Sequence, residues 1–272
     1  MSHETEHDEI TEAEAILANL LPKSTRAERR RFLVARKGNV DNARQMLEDH
    51  LIWRAQHLEQ NVPNQHNLCE STQKGQSPVS QNLSENLPSL ENSECTISSV
   101  SKIDEQNRKF VSLNNGPPYA KDQTRLVHML PFMIDLKAAT VEEYSLYTAQ
   151  YFDSRLDRNL EEKMTLVVDI RGGEGWANEP GVNFIKFIRC ISRIMGDHFP
   201  ERLQRCIIFP IPRYSLWIWG VVKNFLDPIS REKMVLIAGG CDIGASVPGA
   251  LLEYIEPAVS DFLENKRRDL FL

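Results

Sequence analysis

Three kinds of residue in this chain could make or break bonds and one glycine-rich turn could cradle a phosphate, and each lacks the spacing its chemistry requires. Seven histidines stand at His3, His7, His50, His57, His66, His128 and His198, and none belongs to a metal-binding constellation. Five cysteines (Cys69, Cys95, Cys190, Cys206 and Cys241) are odd in number, scattered and without a CxxC pair. That argues against both a disulfide framework and a zinc site, and for reduced thiols. Ser215 lies in RYSLW rather than a nucleophile elbow. Gly172, Gly173 and Gly175 follow a predicted strand, but GGEG has neither the dinucleotide spacing nor the Lys-Ser of a phosphate loop. The expectation is a protein that is not an enzyme, with no metal and no cofactor. His128, on a predicted strand, is the one histidine placed to face a ligand, and a satisfied core histidine is the plainer reading.

What remains is the chemistry of burial. From His198 to Lys233 the chain reads HFPERLQRCIIFPIPRYSLWIWGVVKNFLDPISREK. Ile207, Ile208, Phe209, Pro210 and Ile211 suit a central strand covered on both faces. Pro212 then stops pairing. Leu216, Trp217, Gly220, Val221, Asn224 and Phe225 recur at helical spacing until Asp227-Pro228 ends the element. Two tryptophans on so short a helix must face a core, a ligand or a membrane, and charged residues bracket the whole stretch. The arrangement implies a greasy pocket with a polar mouth.

The elements that position this stretch follow from periodicity. Strands are predicted at 126–130, 164–170, 206–211 and 234–238, all rich in Val, Ile, Leu or Met. Helical stretches at 140–152 and 181–195 separate them, the second carrying Phe184, Phe187, Ile188, Ile191, Ile194 and Met195. Alternation of this kind implies right-handed crossovers and an α/β fold with a mostly parallel sheet. Residues 8–58 form a small all-helical N-terminal module with stripes such as Ala15, Ile16, Ala18, Leu20 and Leu21. Asn39 is a candidate cap between its last two helices. Residues 59–108 turn to Asn, Gln, Ser, Glu and Pro without Phe, Trp or Tyr, and are read as a disordered polar insert able to dock a protein partner. Residues 109–272 are the α/β half.

Composition narrows the classes further. At 272 residues and 41% hydrophobic, the chain can bury a sizeable core. Its net charge of −6 gives no general attraction to nucleic acid or to anionic bilayers, so any membrane contact must be local. The acidic start carries no basic-then-apolar leader, and no apolar run reaches the roughly 20 residues of a bilayer span. A soluble, cytoplasmic protein is expected.

RFLVARKGNVDNARQMLEDHLIWR resembles the N-terminal helical module of the CRAL-TRIO lipid-binding family. LVVDIRG, FPERLQRCIIFPIP and FLDPISREKMVLI resemble the lipid-cradle half, in particular its phosphatidylinositol transfer branch. The resemblance spans 13–58 and 125–237. It implies a sheet flooring a lipid cavity, closed by a gate helix that here carries Tyr214, Leu216, Trp217, Trp219, Val221 and Phe225. It also implies phosphatidylinositol as cargo, with Glu201 accepting from inositol hydroxyls and Lys233 pairing with the phosphate. Ser230 would add a hydroxyl, and Arg36 and Lys37 further phosphate contacts. Exchange would take place during transient contact with a membrane.

The chain also departs from the family's pattern. Met164 and Leu166 stand where dual-specificity members place hydroxyls for choline, so phosphatidylcholine is not expected, and the second hydrophobic lipid is left open among a bare hydrocarbon or sterol-like ligand, an uncharged tail and a second phospholipid. The family's Gly-x-Asp-x-x-Gly-Arg-Pro hairpin is reduced to KDQTRLVHM, and AGGCDIGASVPG replaces the helical start after the last strand. Two other readings accompany the carrier. One is a module used as a protein-interaction or signalling scaffold; the other is a binder of a sterol-like ligand, or of haem through His128 or Tyr147.

Overall fold

The computed structural model describes residues 3–58, 110–113 and 118–271, and the expected insert at 59–108 lies outside them. Three helices come first, α1 (His3–Leu20), α2 (Arg26–Ala35) and α3 (Val40–His57). α2 starts on a reciprocal capping box. The Thr25 hydroxyl accepts from the Glu28 N–H at 3.1 Å, and the Thr25 N–H donates to the Glu28 carboxylate at 2.8 Å. Asn39 caps α3 by accepting from the Asn42 N–H at 2.9 Å. Leu17, Leu33 and Ala43 close one small apolar cluster, and Phe32, Met46 and Leu47 a second.

The rest of the described residues build one five-stranded sheet in sequential order, β1 (Val111–Leu113), β2 (Arg125–Met129), β3 (Met164–Asp169), β4 (Leu203–Ile211) and β5 (Met234–Ala238). β1 pairs antiparallel with β2, and all later pairs are parallel. Parallel strands in sequential order, joined by right-handed crossovers, must place every connecting helix on the same face. That face holds α4 (Val141–Arg155) and α5 (Phe184–His198). The opposite face is covered by the C-terminal helix α8 (Pro257–Arg268), through Val259 and Leu263.

Register sorts the side chains between the two faces. Val127, Leu166, Cys206 and Met234 form one row under the crossover helices, and Met129, Val168, Ile208 and Leu236 form the next. His128, Val167, Ile207 and Val235 form a row on the α8 face. Burial pushes the Cys206 thiol up to about 12, so it stays a neutral core group.

The helical module docks on the α/β half through a buried polar joint. Glu28, 1% exposed, receives Arg158 through Nε at 2.7 Å and Nη2 at 3.0 Å. Burial alone would raise the Glu28 carboxyl, but contacts from His50 and Arg158 and the Thr25 N–H outweigh it and hold the group far below the carboxylate range. Arg31 donates to the Leu160 carbonyl at 2.8 Å, and Arg54 pairs with Asp153. Trp53 stacks on His198 at 4.0 Å and 8°. A small polar recess lined by Glu28, Arg31, His50, Asp153, Arg158 and Arg202 lies at this joint.

Candidate functional site

On the crossover face, the middle of the sheet is incompletely covered. Leu166, Ile208, Met234 and Leu236 lie on β3, β4 and β5, yet each is only half-buried. Residues there on a parallel sheet are ordinarily dry. α5 shows the same deficit from above. Of its apolar side only Phe187 is buried, while Phe184, Ile188, Ile191, Ile194 and Met195 remain half-exposed. The apolar faces of the sheet and of α5 are therefore both incompletely covered, and the region where they meet, the hollow, is the candidate site.

The side of this hollow is formed by α6 (Leu216–Val222), continued by 3-10 turns at Arg213–Ser215 and Lys223–Phe225. It packs against α5 and the turn before it: a Cβ at Gly181, in that turn, would sit 3.3 Å from Ile218 Cδ1, and the Arg189 guanidinium on α5 lies 5.5 Å from the Phe225 ring centre. Val222 is buried, and Ile218, Trp219 and Phe225 are half-buried on the same side. Tyr214, Leu216, Trp217 and Val221 point to solvent, at 76%, 46%, 55% and 36% exposure. The single stripe read from the sequence is therefore two faces. Trp219 belongs to the inner one and Trp217 to the outer one.

At the N-terminal ends of β3, β4 and β5 the hollow meets charge. Glu201 sits in the turn before β4 with a left-handed backbone, φ +58°. The turn is pinned by its neighbour Arg202, which is buried and donates to the carbonyls of Asp157 (2.6 Å), Glu162 (2.9 Å) and Leu160 (3.0 Å). Glu201 Oε2 lies 3.8 Å from Lys233 Nζ and 4.0 Å from Lys163 Nζ. Lys233 closes the short helix α7 (Pro228–Glu232), whose N-cap Asp227 accepts from the Ser230 N–H at 2.9 Å. Partial burial would raise the Asp227 carboxyl, but the hydrogen bonds from Ser230 win and hold it down.

The structure thus joins Glu201 and Lys233 and adds Lys163, which sequence reasoning missed. Ser230 lies one turn before Lys233, with its contacts directed to the cap. Arg36 and Lys37 are exposed at the end of α2, where the Arg36 N–H bonds back to Phe32 and Leu33 and Lys37 adopts φ +52°. Among the described residues neither makes an ion pair with the Glu201 group.

His128 is not on the hollow. Its row faces α8, whereas Tyr147 packs 5.9 Å from Phe110 under the crossover helices, so the two candidate haem ligands lie on opposite faces. Nor is His128 a satisfied core histidine: neither ring nitrogen has a hydrogen-bond partner among the described residues. Burial first, then Lys266, Arg171 and Arg267, with Glu264 opposing, push it down to about 3. Below its ordinary value of 6.5 the unfolded chain takes up a proton that the native site refuses, so native stability falls as the pH drops from 6.5 towards 3. Between pH 6.5 and 5 the expected loss is about 2 kcal/mol. Urea melts at both pH values should show that slope shrinking by this amount in His128→Leu.

Among the described residues no helix is long and apolar enough to cross a membrane, and no cluster of His, Cys, Asp and Glu could hold a metal ion. The CRAL/TRIO domain model matches residues 97–259, more than half of the chain. Phosphatidylinositol transfer protein SFH5 of Kluyveromyces lactis is 24% identical over 241 residues, covering 88% of this chain and 68% of that protein. Phosphatidylinositol transfer protein PDR17 of Saccharomyces cerevisiae is 26% identical over 138 residues, covering 49% of this chain. The chain spans only 34% of the length of PDR17. The crystal structure of Sfh5 superimposes with a TM-score of 0.57 at 14% identity, covering 88% of this chain and 82% of that one, which speaks to fold alone. With its sequential, mostly parallel sheet and a family match across residues 97–259, the chain belongs to the CRAL/TRIO domain family.

Proposed function

We propose that this chain is a lipid carrier that takes up one phospholipid, phosphatidylinositol foremost, from one membrane and presents or delivers it to another. The observation that carries the reading is the pair of half-exposed apolar surfaces, Leu166, Ile208, Met234 and Leu236 below and Ile188, Ile191 and Met195 above. Each methylene moved from water to an apolar site gains roughly 0.8 kcal/mol, so a two-chain lipid left in water loses on the order of 20 kcal/mol. An apolar hollow removes that barrier. The aromatic side of α6 offers a door, with Trp219 turned inward and Trp217 outward, and no bond need be made or broken. The names of both relatives specify phosphatidylinositol transfer. The Glu201–Lys233 pair supplies the matching chemistry, a carboxylate for polyol hydroxyls and an ammonium for the phosphate. Such a carrier would work in the cytoplasm and meet membranes only in passing.

Organic extraction of the purified protein, followed by mass analysis, should yield a phosphoinositide. An empty extract favours the interaction scaffold, and a Soret band in the intact protein favours haem. In vesicle transfer assays Lys233→Ala should slow phosphatidylinositol transfer about tenfold, the loss expected for one charge-assisted hydrogen bond. Transfer at the wild-type rate would remove Lys233 from the headgroup site.

A further inference from the structure

Two ammonium groups stand against Glu201. Lys163 Nζ and Lys233 Nζ lie 4.0 and 3.8 Å from the same oxygen, Oε2. Both distances exceed hydrogen-bonding range, so the contact is one of charge alone. The acidic neighbours of Lys163 are engaged by other groups: Glu161 by Arg30 at 3.4 Å, and Glu162 by Arg125 at 3.2 Å and the Asp157 N–H at 2.9 Å. Asp122, across the β3–β4 end, is held by Arg205 at 3.3 Å. Two positive charges therefore share one carboxylate, and the cluster carries one net positive charge. Lys163 immediately precedes β3 and Lys233 immediately precedes β5, so this charge stands at the N-terminal edge of the sheet beside Glu201.

We propose that Lys163 is a headgroup-binding residue and that, with Lys233, it makes the mouth selective for a singly charged anionic lipid with a polyol headgroup. This rests on the headgroup reading above. The phosphodiester brings the one negative charge that balances the cluster, bracketed by the two ammoniums, while Glu201 accepts from a polyol hydroxyl. A zwitterionic choline headgroup brings the same phosphate, but also a quaternary ammonium that two lysines repel and that donates no hydrogen bond to Glu201. Lys163 thus acts on discrimination between lipids, beyond any general contribution to affinity.

The test is competition: vesicles holding equal amounts of phosphatidylinositol and phosphatidylcholine, with the ratio captured by the full chain read by mass analysis. Lys163→Gln should lower the phosphatidylinositol-to-phosphatidylcholine ratio about fivefold and Lys163→Glu by more, while Lys163→Arg keeps it. Lys163 is 41% exposed, so these variants should fold, and a thermal melt verifies it. A ratio within twofold of wild type in both Lys163→Gln and Lys163→Glu, with Lys233→Ala still losing phosphatidylinositol, overturns the role of Lys163 and leaves the headgroup reading standing. Should Lys233→Ala also keep the wild-type ratio, the headgroup reading itself fails and this inference falls with it.

Discussion

Arg171→Met should lower the free energy of unfolding by about 3–5 kcal/mol, the cost of taking the hydrogen-bonded cation from a buried carboxylate. Arg171 is 1% exposed at the C-terminal end of β3. It donates to Asp169 from Nε at 2.9 Å and from Nη2 at 2.6 Å, to Glu264 on α8 at 2.6 Å and to the Ala245 carbonyl at 2.7 Å. Burial alone would lower its pKa, and the hydrogen bonds and charges of Asp169 and Glu264 instead raise it. Arg267 completes the group, donating to the carbonyls of Gly172 at 2.5 Å and Ile243 at 3.2 Å with its Nε 3.7 Å from Asp169. Two guanidiniums thus balance two carboxylates, and together they bind α8 and the loop after β5 to the end of β3. Methionine fills similar volume but leaves Asp169 only the backbone N–H of residue 171 and the Arg267 guanidinium at 3.7 Å. Equilibrium urea denaturation measures the loss, and adding Asp169→Asn to Arg171→Met should recover part of it, because the buried charge is gone. A single-variant loss below about 1 kcal/mol would mean that packing, not this network, holds α8 in place.

That network marks where reading a sequence stops. Strand and helix existence was legible because Val, Ile and Leu runs alternate with helical stripes, and Pro212 and Asp227-Pro228 bound the aromatic helix as expected. β1 was missed, since three residues, Val111–Leu113, carry no measurable periodicity. Lys163 was missed for a different reason: it looks like any solvated lysine until the parallel crossovers carry Glu201 and Lys233 to it. Asp169 and Arg171 lay within a recognised motif, but Glu264 sits 93 residues beyond Arg171. The orientation of His128 depended on strand parity. Both alternating sets on β2, Leu126 and His128 against Val127 and Met129, precede apolar partners on β3, so composition alone did not say which faced the crossover helices. The same ambiguity of phase hid which tryptophan of α6 looks outward.

That phase carries the remaining large prediction. Trp217→Gln should weaken binding to vesicles about tenfold or more and slow lipid transfer in proportion, because a tryptophan inserted at the membrane interface contributes about 1.5–3 kcal/mol. The residue is 55% exposed and shares its face with Tyr214 and Val221, so its loss opens no cavity, and the melting temperature should stay within about 2 °C of wild type. Trp219→Ala should behave differently. Its ring is half-buried on the side of Ile218 and Val222, so truncation should chiefly impair retention of bound lipid, seen as less lipid in the extract. Vesicle co-sedimentation and lipid mass analysis on both variants separate the two roles. Equal vesicle affinity in wild type and Trp217→Gln would mean that α6 does not meet the bilayer through this face. Membrane contact would then have to come from another surface, and the hollow would need a different entrance.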